Sequence, residues 1–270
     1  ALLRESPVGM VGAALVLFWV LVAIFAPWLA PYDPNEPDYT ALADMGALTA
    51  AHPFGIDING RDMLSGIIWG SRTVLTVAPI AVLTAYIVGC LLGLVAGYYR
   101  GWTDLFITRM SDIILSFPVI ILYLIILAAF GASTLNIVVA VTFVAAPQIG
   151  RIGSGLTLEI REMDYVAAAK MRGESALYIM LVEILPNARG PLIVDACLRM
   201  GYTTITIGVL GFLGLGLPPP DPDWGKMVAE TYSMISTFPH MAMIPCAAIS
   251  SLVVGFNLLA DGLREISLSD

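Results

Sequence analysis

Few residues in this 270-residue chain are spaced to do chemistry. His52-Pro53-Phe54-Gly55-Ile56-Asp57-Ile58-Asn59-Gly60-Arg61-Asp62 gathers a histidine and two acids, the side-chain types of a cation site. An EF-hand calcium loop needs an oxygen ligand at its fifth position and glycine at its sixth. Counted from Asp57 those places hold Arg61 and Asp62, so a turn-rich loop without metal is expected. His240, beside Pro239, has no histidine cluster around it for zinc and is expected at a membrane interface. Gly211-Phe212-Leu213-Gly214-Leu215-Gly216 has the glycine density of a nucleotide-binding turn but no strand before it, so helix packing is expected instead. Cys90, Cys197 and Cys246 are odd in number and lie in apolar runs, as small buried apolar residues would. No nucleophile-base set is evident. What remains are ionisable pairs. Asp195 and Arg199 are four apart, acid first, the favourable order for a helical ion pair. Arg109 precedes Asp112 by three, and Asp261 precedes Arg264 by three. Ionisable groups in or near membrane spans are functional candidates. These six are expected as structural or gating charges, with pairing the leading reading.

The elements that must hold them are apolar. The chain is 58% hydrophobic and 13% charged, with a mean hydropathy of +0.86. A soluble domain is nearer half apolar and a quarter charged, so an integral membrane protein is expected, and disorder, coiled coil, collagen and a disulfide scaffold are excluded. The net charge of −8 argues against nucleic acid as a partner. Charge-free runs cover residues 6–32, 73–99, 113–150, 200–220 and 241–260. A crossing takes about 20 apolar residues. The third run is too long for one helix, and Gly131-Ala132-Ser133-Thr134-Leu135-Asn136 splits it into a hairpin. The result is an all-α polytopic chain, one transmembrane domain over 1–270, with six spans near 7–30, 73–99, 105–131, 134–157, 191–217 and 239–261. The first is read as a retained anchor, not a cleaved signal, with Pro27 and Pro31 stopping it; the start at Ala1 suggests that a few residues precede it.

Basic residues orient the spans. Arg4, Arg100, Arg109, Arg151, Arg161, Lys170, Arg172, Arg189 and Arg264 fall on the side of both termini. Only Arg61, Arg72 and Lys226 fall opposite, while Arg199 lies in or at a span. Both termini are therefore expected in the cytoplasm. Outer loops cover 31–72 and 218–238, and a cytoplasmic loop covers 158–190. In the last, Val166, Ala169, Gly173, Leu177 and Met180 recur at steps of three and four, a narrow apolar stripe along the membrane face. Gly173 turns the chain between two short helices, and Pro186 ends the unit.

Asp164-Tyr165-Val166-Ala167-Ala168-Ala169-Lys170-Met171-Arg172-Gly173, with Leu185-Pro186 a dozen residues on, resembles the cytoplasmic EAA loop of ABC importer permeases. Two positions depart from that motif: its Glu is Ala167 and its Ile is Glu183. The outer-loop segment 52–62 resembles the signature of dipeptide and oligopeptide permeases, with Ile56 where Thr is usual. Ala96-Gly97-Tyr98, Gly101-Trp102, Asp104, Arg109, Asp112, Phe117-Pro118, Phe212-Leu213-Gly214-Leu215-Gly216, Pro219-Pro220, Trp224-Gly225 and Asn257-Leu258-Leu259 with Asp261-Gly262-Leu263-Arg264 are similar to the same subfamily. The resemblance covers roughly residues 5–266.

It implies a C-type permease subunit of the ABC type I importer fold in a bacterial cytoplasmic membrane. It implies as partners a second permease, two cytoplasmic ATPase subunits, an extracytoplasmic peptide-binding protein and the lipid bilayer. No Gly-x-x-x-x-Gly-Lys-Ser/Thr loop occurs, so the chain is expected to be no enzyme and to bind no cofactor, ATP and Mg belonging to the partner ATPases. Asp164, Tyr165, Ala167, Ala168, Ala169, Arg172, Gly173, Leu185 and Pro186 would form the ATPase-coupling loop, its role mechanical, in alternating access driven by ATP. Di- or oligopeptides are the implied cargo, with a nickel chelate or glutathione as alternatives. An ATP-independent secondary transporter or channel is the reading from another class; it would need charges buried at mid-span, and residues 80–93 and 120–130 have none.

Overall fold

The structure, a computed structural model, describes residues 6–218 and 220–269; Arg4 and Pro219, both used above, lie outside them. The described residues are helical, with one isolated β-bridge between Ile56 and Asp62. The main helices are α1 (Pro7–Ile24), α2 (Met63–Tyr99), α3 (Gly101–Leu115), α4 (Val119–Phe130), α5 (Thr134–Ile160), α6 (Asp164–Met171), α7 (Arg189–Phe212), α8 (Trp224–Thr231) and α9 (Pro239–Ser269). Five are long and apolar enough to cross a membrane, and α3 with α4 makes six if that bent pair counts as one span.

Several boundaries differ from those expected. The helix carrying the second expected span starts at Met63, not 73, because Asp62 caps it: its side chain accepts from the Ser65 N–H at 2.7 Å. The expected span at 105–131 is broken, and its halves meet at 85°. Pro118 causes the break, since proline biases the residue before it away from helical geometry and donates no N–H. Pro27 opens a further turn, Ala26–Leu29, instead of ending the first helix. α9 runs on through Asp261 and Arg264, which lie exposed within it and do not close it. The cysteines are free but not buried: Cys246 is exposed and the other two are half-buried, because an apolar residue on a span can face lipid as readily as protein.

The tightest packing joins α2 to α5. A Cβ at Gly89, Gly93 or Gly97 would lie 2.6 Å from Ile149 Cβ, Gly150 O or Thr157 Cβ respectively. Both residue series rise together, so the two helices run parallel. Side-chain-free positions four apart let the backbones approach, and van der Waals contact at that distance, not exclusion of water, drives association in lipid. α1 crosses α9 in the opposite sense, Gly12 meeting Leu259 and Gly9 meeting Gly262.

The end of the bundle where α2 begins is closed by α8. Trp224 is fully buried; its indole N–H donates to Ile67 O at 3.0 Å, and its ring meets Trp19 edge-on at 5.0 Å between centroids. Asp223 caps α8 by accepting from the N–H groups of Gly225 (2.7 Å) and Lys226 (3.3 Å), and also from Leu217 (3.2 Å). Gly211 and Gly216 line the place that its carboxylate fills, which gives that glycine cluster its packing role. Burial pushes the Asp223 carboxyl up while the three N–H donors pull it down. In the loop between α1 and α2, His52 Nδ1 lies 2.9 Å from Asp62, and Tyr32 stacks on the imidazole. Asp57 accepts from the Asn59 and Arg61 N–H groups at 2.8 Å each. Both acids are thus spent holding the loop on the start of α2. The Thr40 hydroxyl and N–H hold the nearby Asp38 carboxyl below its usual range.

Candidate coupling surface and polar knot

The segment between α5 and α7 is a hairpin of two short arms. α5 ends where Arg161 donates to Tyr98 O at 2.7 Å, tying it to the last turn of α2. α6 then starts with Asp164 in its first turn and has Lys170 in its last, each complementing the helix dipole. It ends in a Schellman motif: Glu174 N donates to Ala169 O (3.2 Å), Gly173 N to Lys170 O (3.0 Å), and Gly173 has φ +80°. Ser175 caps the return arm, which passes from Ala176–Tyr178 into a π-helical turn, Ile179–Ile184. Pro186 follows and has no N–H with which to continue a regular ladder.

One face of the hairpin is buried. Val166, Ala169, Ile179, Met180 and Ile184 pack with Leu94 of α2, Ile160 of α5 and Leu192 of α7 into a second apolar cluster, apart from the main core. The other face leaves Met163, Tyr165, Leu177, Leu181 and Val182 exposed, and Met171 is 83% exposed. Large apolar side chains left exposed together on one short hairpin point to an interaction site. Of the expected coupling residues, Asp164, Tyr165, Ala167, Arg172, Gly173 and Pro186 lie on the open side, Ala168 and Leu185 are half-buried, and Ala169 alone is fully packed. Ala167, in the place of the motif's Glu, faces outward. The expected stripe does not continue through Gly173 and Leu177, which are both exposed, because the chain reverses at Gly173. Arg172 reaches Glu183 (3.3 Å) and Glu174 (3.6 Å), bracing the two arms.

Above this cluster lies a polar knot. Arg199 Nε donates to Asp195 at 2.7 Å, the pair expected from their spacing. The structure adds two partners: Tyr86 of α2 donates its hydroxyl to Asp195, and Arg199 donates to Gln148 of α5 at 3.0 Å. Tyr86 and Gln148 stand in apolar runs, each the kind of isolated polar residue that needs a partner inside a span. A second pairing joins Asp112 of α3 to Arg151 of α5 and, at 3.4 Å, to Arg109. No ion pair joins Asp261 to Arg264 among the described residues. Arg199 and Gln148 also line a groove of about 390 Å³ between α2, α4, α5 and α7, walled by Val82, Tyr123, Val144 and Thr206 among others.

The family described as binding-protein-dependent transport system inner membrane component matches residues 89–268, a stretch that holds the hairpin, all four members of the knot but Tyr86, and the groove except its α2 wall. The chain belongs to that family. The N-terminal transmembrane domain of oligopeptide transport permease C matches residues 2–49. The chain is 38% identical to the dipeptide transport system permease protein DppC of Alkalihalophilus pseudofirmus, over 97% of its own length and 86% of the relative's. It is likewise 38% identical to the glutathione transport system permease protein GsiD of Pectobacterium atrosepticum, over 96% and 85%, and to GsiD of Escherichia coli O157:H7, over 97% and 86%. The resemblance drawn from the EAA-like segment and the outer-loop motifs therefore holds: this is a multi-pass inner-membrane permease component, a transport subunit with the all-α architecture of type I importers.

Proposed function

We propose that this permease is the C-type half of an ATP-driven importer of di- or oligopeptides, working by alternating access with both termini in the cytoplasm. A second permease completes the passage, two cytoplasmic ATPases bind ATP and Mg beneath it, and an extracytoplasmic binding protein delivers the solute. The observation that carries this is the two-faced hairpin: one side locked into the ends of α2, α5 and α7, the other an exposed apolar surface. A docked ATPase covers that surface, and Asp164, Tyr165, Ala167 and Arg172 meet it. Ala169 and Leu185 hold the hairpin to the spans, and Pro186 ends its return arm. A rigid unit transmits displacement where a loose loop would absorb it. Glutathione, itself a short peptide, is the second reading, supported by relatives of equal identity.

The test is ATP hydrolysis by the assembled complex in liposomes. Peptide-loaded binding protein is expected to stimulate it, glutathione-loaded binding protein less so; transport by this chain without ATP would sink the proposal. The knot has its own expected result. Asp195 and Arg199 couple α2, α5 and α7 next to the hairpin cluster, against which Tyr86 also packs. Asp195→Ala leaves the Arg199 guanidinium short of its charge partner and costs about 2 kcal/mol. Thermal unfolding of the complex reads this, and Asp195→Asn with Arg199→Gln together should cost less than the sum of the two single changes. Strict additivity would show that the pair does not act as a unit.

A further inference from the structure

We propose that a groove between α1 and α2 binds one glycerophospholipid of the outer leaflet, its acyl chain among the helices and its phosphate at Arg72. The groove, about 500 Å³, is walled by Val16, Val20 and Ile24 of α1 and by Leu75 and Pro79 of α2, with Phe256 of α9 at its floor. Those walls are apolar and suit a hydrocarbon chain. Arg72 is the one charged residue lining it.

Charge assigns the occupant. Of the three basic residues on the outer side, Arg61 and Lys226 both reach Glu230, at 3.8 and 3.9 Å. Arg72 has no acid within ion-pair distance among the described residues; its guanidinium lies over the Trp69 ring, 5.6 Å from the centroid. Depth agrees. From Arg72 to Arg100, which ends α2, the helix advances 28 residues, about 42 Å at 1.5 Å per residue. A bilayer with its headgroups is about 40–45 Å thick, so Arg72 stands at the outer phosphate level with a tryptophan beside it, as interface belts have. Pro79, inside α2, lies where the groove runs toward mid-membrane.

The inference does not depend on which solute is carried. Its test uses the complete complex with its partners, held in nanodiscs of phosphatidylethanolamine and phosphatidylglycerol and then released for native mass spectrometry. The wild-type complex is expected to retain one phospholipid more per copy of this chain than the Arg72→Glu variant. Arg72→Lys should retain it, and Arg72→Gln should lower occupancy about five-fold, which corresponds to about 1 kcal/mol for one basic residue at a lipid surface. Val20→Trp fills the groove and should expel the lipid while Arg72 is intact. Unfolding temperatures of the variants separate loss of lipid from loss of fold. Retention in Arg72→Glu and Val20→Trp equal to that of the wild type would overturn the proposal. So would a photoreactive group at Val20 that crosslinks to the second permease instead of to lipid, since the groove would then seat a helix.

Discussion

Gly93→Leu is expected to prevent assembly of the permease. A Cβ at Gly93 would lie 2.6 Å from Gly150 O and 2.8 Å from Ser154 N. Both are backbone atoms of α5 and cannot swing aside as a flexible side chain would. The helices would have to separate along the whole contact that Gly89, Gly93 and Gly97 make, and the apolar gap between them would take up lipid. Overpacking typically costs 1–3 kcal/mol; a side chain pressed against unyielding backbone atoms should lie at or above the upper end, about 3 kcal/mol. Gly155, on the same α5, is exposed with nothing within 4 Å of its Cβ position, so Gly155→Leu is the matched control and should be near neutral. Expression level and unfolding temperature of the complex decide it. If the two variants melt together, the parallel α2–α5 contact is not what holds this half of the protein.

Gly173→Pro should separate ATP hydrolysis from transport, on the functional reading proposed above. Proline fixes φ near −65°, whereas Gly173 has φ +80° and donates its N–H to Lys170 O. Both requirements fail together, at a cost of about 3 kcal/mol or more, and the two arms lose their angle. Nothing lies within 4 Å of the Gly173 Cβ position, so size alone is no obstacle. Asn, which tolerates left-handed backbone, should behave nearly as wild type, and Ala should fall between them. The complex is expected to assemble with basal ATPase activity retained, while stimulation by loaded binding protein and uptake fall at least about ten-fold, equivalent to 1.4 kcal/mol. Normal uptake by the proline variant would remove the hairpin from the transmission path.

The sequence marks apolar length well and marks breaks poorly. Residues 73–99 are legible as a span because charge is absent, but that test stops at Arg72, and Asp62 ten residues earlier is where the helix begins. Pro118 is visible in the sequence, yet the apolar residues on either side are as hydrophobic as a continuous span would be, and only the backbone shows the 85° bend. The hairpin is legible because its constraints are local: Gly173 and Pro186 act through their own backbones. The knot is legible only as far as Asp195 and Arg199, which share a helix. Tyr86 and Gln148 come to them from 109 and 51 residues away, and no periodicity encodes that meeting. The stripe through Gly173 and Leu177 fails for the matching reason: helical spacing loses its meaning once the chain reverses.

α2 has a geometrical consequence of its own. It is one helix of 37 residues, about 55 Å long at 1.5 Å per residue, nearly twice the hydrocarbon thickness of about 30 Å. Its outer end carries the His52–Asp62 clasp, and its inner end carries Leu94 in the hairpin cluster. It is therefore a lever hinged at the hairpin end, with its surplus length beyond Arg72 projecting past the membrane. A tilt of about 10° at the inner end would swing the outer end by roughly 10 Å, with only Pro79 along its length to absorb the motion. A small rotation at the hairpin end thereby becomes a large displacement at the far end.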